Sequence, residues 1–423
     1  MKLRVALLGL AAATTSAACT AGPAARAPVA GAAVGNATSF LVGSLRPWPD
    51  ADSPGLLAIS DPTTNRVASY DSALVALALL RAGERERAGR ILLGLAHLQT
   101  SSGGIAFSFT LPGPDPARPF ERAGAIAWVG YAAVDYLDAS ADEPAAAARA
   151  AILALAHRAA GYLLERQVDR PGDPRDGLVL GGNGTIRYEA ANEDVREVYD
   201  PGEVSWASVE HNVDTYFFLR ALGRITGTRA YTDGAARIAR ALKSRAWSAA
   251  SGQLVQGFGE RGADEALALD CASWGSIFLG ASGDRARADT ALSIGDARYA
   301  SHDPRSSARG HRPYAAGPLI ENVGVRRHFA GKLPAQTWDR LDVVWPEGSA
   351  GVALAEWRAG HLDRAAAILD ALEPLRANDG SLPTASVEVP FTFDTLPSVA
   401  GTAWVALVRF ELARPEGHPT LWP

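Results

Sequence analysis

The chain has 423 residues, of which 48% are hydrophobic and 21% charged. That balance belongs to a globular protein with a large core and excludes disorder over most of the length. A net charge of −5 without a basic tail disfavours nucleic acid as a partner, and two cysteines exclude a disulfide scaffold or a multi-cysteine metal site.

The first 19 residues, MKLRVALLGLAAATTSAAC, read as an export signal. Lys2 and Arg4 form a positive start, Val5 to Ala13 is apolar but too short to span a bilayer, and small residues follow. Ser16-Ala17-Ala18-Cys19 resembles a bacterial lipobox, with Ser16 where Leu is usual. Cys19 is therefore the expected lipidation site, and ordinary cleavage near the same place is the alternative. Residues 20–36 are rich in Ala, Gly and Pro and are expected to be a flexible tether. Residues 37–423 are expected to be one exported domain, either secreted or held to the cell envelope by lipid. Membrane contact would come only through that lipid.

An internal repeat follows. The segment from Ser72 aligns with that from Ser349 at an offset of 277, and 16 of 32 positions from Ser72 to Gly103 are identical. Each copy reads as a helix, an Arg-Ala-Gly turn, a second helix and a Gly-rich loop. Gly83 and Gly360 stand where a helix end needs positive φ. Ala88, Ile91, Leu92, Leu95 and Leu98 keep the spacing of one buried stripe.

Similar pairs lie between the copies, starting near Ala125, Ser208 and Leu269, and a last helix starts near Ser398. The first helix of each pair is apolar nearly all round and the second is amphipathic, as inner and outer helices should be. Six inner helices, opening near residues 70, 125, 208, 270, 347 and 398, predict an all-α (α/α)6 toroid with short strands in its loops. No twelfth helix is visible after Arg414, so the expectation is either a ring that closes imperfectly there or a gap that residues 37–48 help to fill.

The inner-helix starts would point into one cleft, and they carry carboxylates and aromatic rings. The candidate catalytic residues are Glu210, Asp71, Asp270, Glu347 and Asp214. Glu210 and Asp214 are four apart and share a helix face; if buried, one carboxyl should hold its proton, as a general acid must. Tyr70, Trp128, Trp206, His211, Asn212, Trp274, Trp345 and Trp404 are the candidate substrate-binding residues. A carboxylate at a helix start also caps free N–H groups, so each position alone has a simpler explanation. Carboxylate pairs beside aromatic platforms suit carbohydrate, because hydrolysis of a glycosidic bond needs one protonated and one ionised carboxyl. Nothing calls for a metal or a cofactor.

Together, Tyr70/Asp71/Ala73/Leu74, Glu210/His211/Asn212/Asp214, Leu269/Asp270/Ser273/Trp274 and Trp345/Glu347/Gly348 resemble the six-hairpin glycosidase-like toroids of secreted bacterial proteins. The resemblance spans roughly residues 65–415. It implies a polysaccharide-active enzyme with a carboxylate acid/base pair, Glu210 being the expected acid, and an oligo- or polysaccharide as partner. The same fold hosts other chemistry. A polysaccharide lyase would use His211, Asn212 and Tyr216 with the arginines around Arg305–Arg312 and Arg326-Arg327. A sugar epimerase would pair histidines, and a glycan-capture lipoprotein would use the aromatic rings alone.

Overall fold

The computed structural model describes residues 27–139, 146–191, 194–414 and 420–422. The expected export signal and Cys19 lie outside them. Thirteen helices are present among the described residues: α1 (Ala27–Gly43), α2 (Ser69–Arg81), α3 (Arg85–Leu98), α4 (Ala123–Ala139), α5 (Ala146–Glu165), α6 (Val209–Thr226), α7 (Arg229–Ala241), α8 (Leu269–Ala281), α9 (Arg285–Tyr299), α10 (Val323–His328), α11 (Pro346–Arg358), α12 (Leu362–Asp370) and α13 (Val399–Leu412).

Six helices form a continuous inner ring. α2 packs on α4, α4 on α6, α6 on α8, α8 on α11, α11 on α13, and α13 returns to α2. They are the helices the sequence marks as apolar all round, and each is buried over almost its whole length. The outer layer is α3, α5, α7, α9 and α12, each against its preceding inner helix. α3 buries the expected stripe of Ala88, Ile91, Leu92, Leu95 and Leu98 and exposes its charged face. Gly83 (φ 84°) and Gly360 (φ 90°) make the repeat's two tight turns in the left-handed conformation that a Cβ would strain.

The twelfth position is filled from the other end of the chain. α1 packs on α13 and α2, with Ala37 and Leu41 buried. Residues 27–36, within the expected tether, are helical in α1. The edge of the ring at α13 offers the apolar surface that stabilises this helix. Among the described residues no helix is long and apolar enough to cross a membrane.

Short strands lead into the inner helices at one end of the ring: Arg66–Ala68 before α2, Glu121–Arg122 before α4, Ala207–Ser208 before α6 and Pro397–Ser398 before α13. A bridge between Ala268 and Tyr314 serves α8. These pairings align the helix starts on one face. One loop is much larger than expected. Gly182–Ala191 and Asp194–Val204 form an antiparallel hairpin rising from Glu121–Arg122. Cross-strand Arg196–Glu189 and Arg187–Asp200 ion pairs cover its exposed faces.

Candidate active site

The axis of the ring is packed with tryptophan. Trp128, Trp274, Trp404 and Trp422 are 1%, 3%, 0% and 1% exposed. Trp274 stacks on Trp404 with centroids 5.6 Å apart, and Trp128 meets Trp404 edge-on at 5.3 Å. Trp422 reaches the axis from the far end of the chain and stacks on Phe217 at 4.9 Å. Trp128, Trp274 and Trp404 are therefore not open sugar platforms. Each sits about one turn inside its helix, where the side chain turns inward and fills the bore, so the three build the floor of the cleft.

Above this floor lie the carboxylates. Glu210, Asp270 and Glu347 occupy the first turns of α6, α8 and α11, and Asp214 lies one turn below Glu210. Burial pushes the Glu210 carboxyl up to about 7. Burial, then the charges of Glu210 and Asp270, raise Asp214 well above the usual range; burial, then Glu210 and Glu347, do the same for Asp270. Glu347 is pushed up to about 8 by burial, against a lowering by the Tyr70 hydroxyl, with Asp71 and Glu210 adding to the rise. Four acids within electrostatic reach of one another cannot all ionise at neutral pH, so the cluster retains protons.

Their hydrogen bonds differ. The Tyr70 hydroxyl donates to Glu347 Oε1 at 2.6 Å and accepts from the Trp404 indole N–H at 2.7 Å. The floor thus orients the phenol and the phenol orients the carboxylate. By contrast, Asp270 Oδ1, His211 Nδ1 and the indole nitrogen of Trp274 are buried without a hydrogen-bond partner, while the Trp128 indole faces Asp214 and holds its rise back. So many orphaned polar atoms in one place are unusual for a folded interior and suit a site that receives a polar ligand.

Other expected site residues sit differently. Asp71 is up at about 6 through burial, offset by Ser60 and Arg66, which tie it toward the adjoining sheet. Asn212 is fully buried. It donates to the carbonyls of Val179 and Ser208 and accepts from the Val179 N–H, so it is a staple rather than a substrate contact. His211 packs against Gly124, where a Cβ would fall 2.3 Å from the imidazole. Burial and the nearby Arg122 lower it to about 4, so it is neutral at pH 7. Trp206 lies over Gly257 and lines a separate hollow of about 880 Å³ against the Gly257–Asp264 turn, where none of the four carboxylates reaches. Trp345 stays half-buried at the start of α11, its ring lying against Gly348.

Two of the arginines a lyase would use are bonded elsewhere. Arg305 bonds Asp303 and the Ser386 carbonyl, Arg312 bonds the Trp338 and Ala300 carbonyls, and Tyr216 faces a cavity beside α7. Of the loop histidines, His311 is buried against Asp296. Among the described residues no group of three or more His, Cys, Asp or Glu is arranged to hold a metal ion.

Two site residues carry no signal in the sequence. Tyr314 comes from an irregular loop and stands beside α8 because its backbone bridges Ala268. Trp422 lies beyond the last helix, held by its N–H donating to Tyr131 Oη at 2.7 Å, while Tyr131 donates to the Thr420 carbonyl at 3.0 Å.

No protein-family model matches the chain, and no curated protein matches it in sequence. Solved structures do match in fold. A wild-type glycosidase superposes with a TM-score of 0.61 at 16% identity, over 90% of this chain and 97% of that one. A family 76 α-mannanase from Bacteroides thetaiotaomicron gives 0.55 at 12%, over 91% and 95%. A D-mannose isomerase gives 0.60 at 11%, over 93% and 99%. Closed inner ring, outer helices and these likenesses agree: the chain has the six-hairpin glycosidase-like toroid fold.

Proposed function

We propose that the chain is a glycoside hydrolase that acts by carboxylate acid/base catalysis, outside the cytoplasm as its export-like start suggests. The observation that carries this reading is a pair of half-buried glutamates at the starts of α6 and α11, within electrostatic reach of each other. Burial raises Glu210 to about 7 and Glu347 to about 8, the latter against a hydrogen bond from Tyr70, so the pair holds one proton near neutral pH. One ionised and one protonated carboxyl is the condition glycosidic hydrolysis needs.

In this reading the protonated member of the pair gives its proton to the glycosidic oxygen as the C–O bond breaks, and the ionised member takes a proton from the water that attacks the sugar carbon. The acidic cluster stabilises positive charge developing on the ring, and the half-buried Trp345 and Tyr314 offer apolar faces to sugar. A glycosidase of this fold has been solved in complex with glucose, which supports hexose as the unit to try first.

The test is reducing-end release from a panel of neutral and acidic oligo- and polysaccharides, with Glu210→Gln and Glu347→Gln beside wild type. Loss of about 10²–10⁴-fold in either variant is expected for removal of a general acid or base. Absorbance from unsaturated uronates would replace hydrolysis with elimination. Binding without turnover would leave a glycan-capture protein.

A further inference from the structure

The hairpin and two loops that the hydrolytic reading leaves unused meet beside the carboxylates. The hairpin leans on α10. Near its tip Tyr188 stacks on Phe391 with centroids 4.1 Å apart and planes 23° from parallel. Phe329 closes a third side, edge-on to Phe391 at 5.7 Å. Phe391 is 48% exposed and has φ 64°. A bulky side chain in the left-handed region is strained, and such strain persists where the surroundings hold it for a purpose.

Beneath the stack is a chamber of about 430 Å³, lined by Tyr188, Phe391, Tyr314, Trp338, Glu321 and Asn322. That size is within the range of small-ligand sites. Aromatic rings form its walls and a carboxylate and an amide stand at its edge, the mixture that receives C–H faces and hydroxyls of a sugar. Tyr314 joins the chamber to the catalytic cluster. Leu269 N–H donates to the Pro313 carbonyl at 2.9 Å and Ala268 bridges Tyr314, so the phenol stands beside the turn bearing Asp270. Tyr314 and Trp338 lie 5.5 Å apart, centroid to centroid.

We propose that this chamber is a carbohydrate subsite for the leaving-group side of the substrate, and that the Tyr188–Phe391 stack is a roof that admits a short chain end and obstructs a longer chain. The two halves of the stack come from segments about two hundred residues apart, and together they bound one side of the chamber. In this assignment a sugar of one or two rings lies against the stack, whereas a continuing chain must pass it. The assignment rests on the hydrolytic reading and adds its substrate class: short oligosaccharides in preference to polymer.

The experiment measures kcat/KM on the cleaved linkage as disaccharide, trisaccharide and hexasaccharide, for wild type, Phe391→Ala and Tyr188→Ala. Opening the roof should raise the hexasaccharide-to-disaccharide ratio at least about tenfold in both variants, with disaccharide KM rising as the stack is lost. Phe391→Gly, which relieves the positive φ, replaces Phe391→Ala if the latter does not fold. An unchanged ratio in folded variants overturns the roof. If wild type cleaves nothing, the hydrolytic reading fails separately. Calorimetric titration of the same oligosaccharides then decides the chamber: tighter hexasaccharide binding in the variants supports the roof, and equal binding across lengths in all proteins overturns it.

Discussion

Tyr70 and Glu347 hold the same position in two copies of one repeat, 277 residues apart, and their side chains meet at 2.6 Å. The repeat sets both at the start of an inner helix, and the ring brings α2 and α11 to either side of α13. One copy kept a phenol and the other a carboxylate. From equivalent positions came a donor and an acceptor, with the Trp404 N–H holding the donor in place.

That pair predicts a pH shift. The Tyr70 hydroxyl lowers the Glu347 pKa, so Tyr70→Phe should raise it further above about 8. Glu347 carries the higher of the pair's two values, so the basic limb of the kcat/KM profile should move to higher pH. The glutamates titrate as a unit, and the singly protonated form should peak near pH 7–8 in wild type, between the values for Glu210 and Glu347. A basic limb that stays put in Tyr70→Phe would remove Glu347 from the catalytic pair.

Asp214 should cost stability as pH rises. Burial and its acidic neighbours raise its pKa in the folded protein. The folded state therefore keeps a proton that the unfolded chain gives up above about pH 4, and stability falls as pH climbs from there toward the raised value. Asp214→Asn removes the penalty. Its Tm should exceed wild type by on the order of a few degrees at pH 8 and by less at pH 5. Thermal melts at both values decide it, and an equal Tm difference at the two would rule out the linkage.

Trp422 should matter beyond its local packing. It is 1% exposed and touches Trp128, Trp274, Trp404 and Phe217. Trp422→Ala should cost about 3–5 kcal/mol, the usual range for a buried aromatic cut to alanine. Because Trp404 orients Tyr70, the folded variant should also lose kcat more than it raises KM. Denaturant unfolding and steady-state kinetics read the two effects separately.

Asn212→Ala tests the staple. It leaves the Val179 N–H and C=O without their partner beneath the hairpin's root. A buried amide left unpaired costs about 1–3 kcal/mol, so a loss of that order in unfolding free energy is expected. The pH–rate profile should not move, because no proton-transfer group is changed. A moved profile would return Asn212 to the substrate-binding set.

The ring was legible because periodicity and turn chemistry are local. Apolar-all-round helices at Ser69–Arg81, Ala123–Ala139 and their successors, each followed by a helix that buries one face, leave few ways to bury their surfaces. The carboxylates at the helix starts were legible for the same reason, since a toroid gathers those starts at one end. The depth of each aromatic was not. Trp345 at the start of α11 stays half-buried while Trp128, Trp274 and Trp404, one turn further in, fill the bore. A shift of a few residues along an inner helix separates platform from floor.

Contacts without a local period were likewise decided only by tertiary structure. α1 docks on α13 across nearly the whole chain, Trp422 threads the axis, Tyr314 bridges to α8, and Tyr188 finds Phe391. Composition and spacing determine which segments form helices and which faces are apolar, because those follow from propensity and burial within a dozen residues. Which distant segments complete the ring, floor the cleft and roof the chamber depends on where the closed ring leaves uncovered surface, and that exists only once all six hairpins are in place.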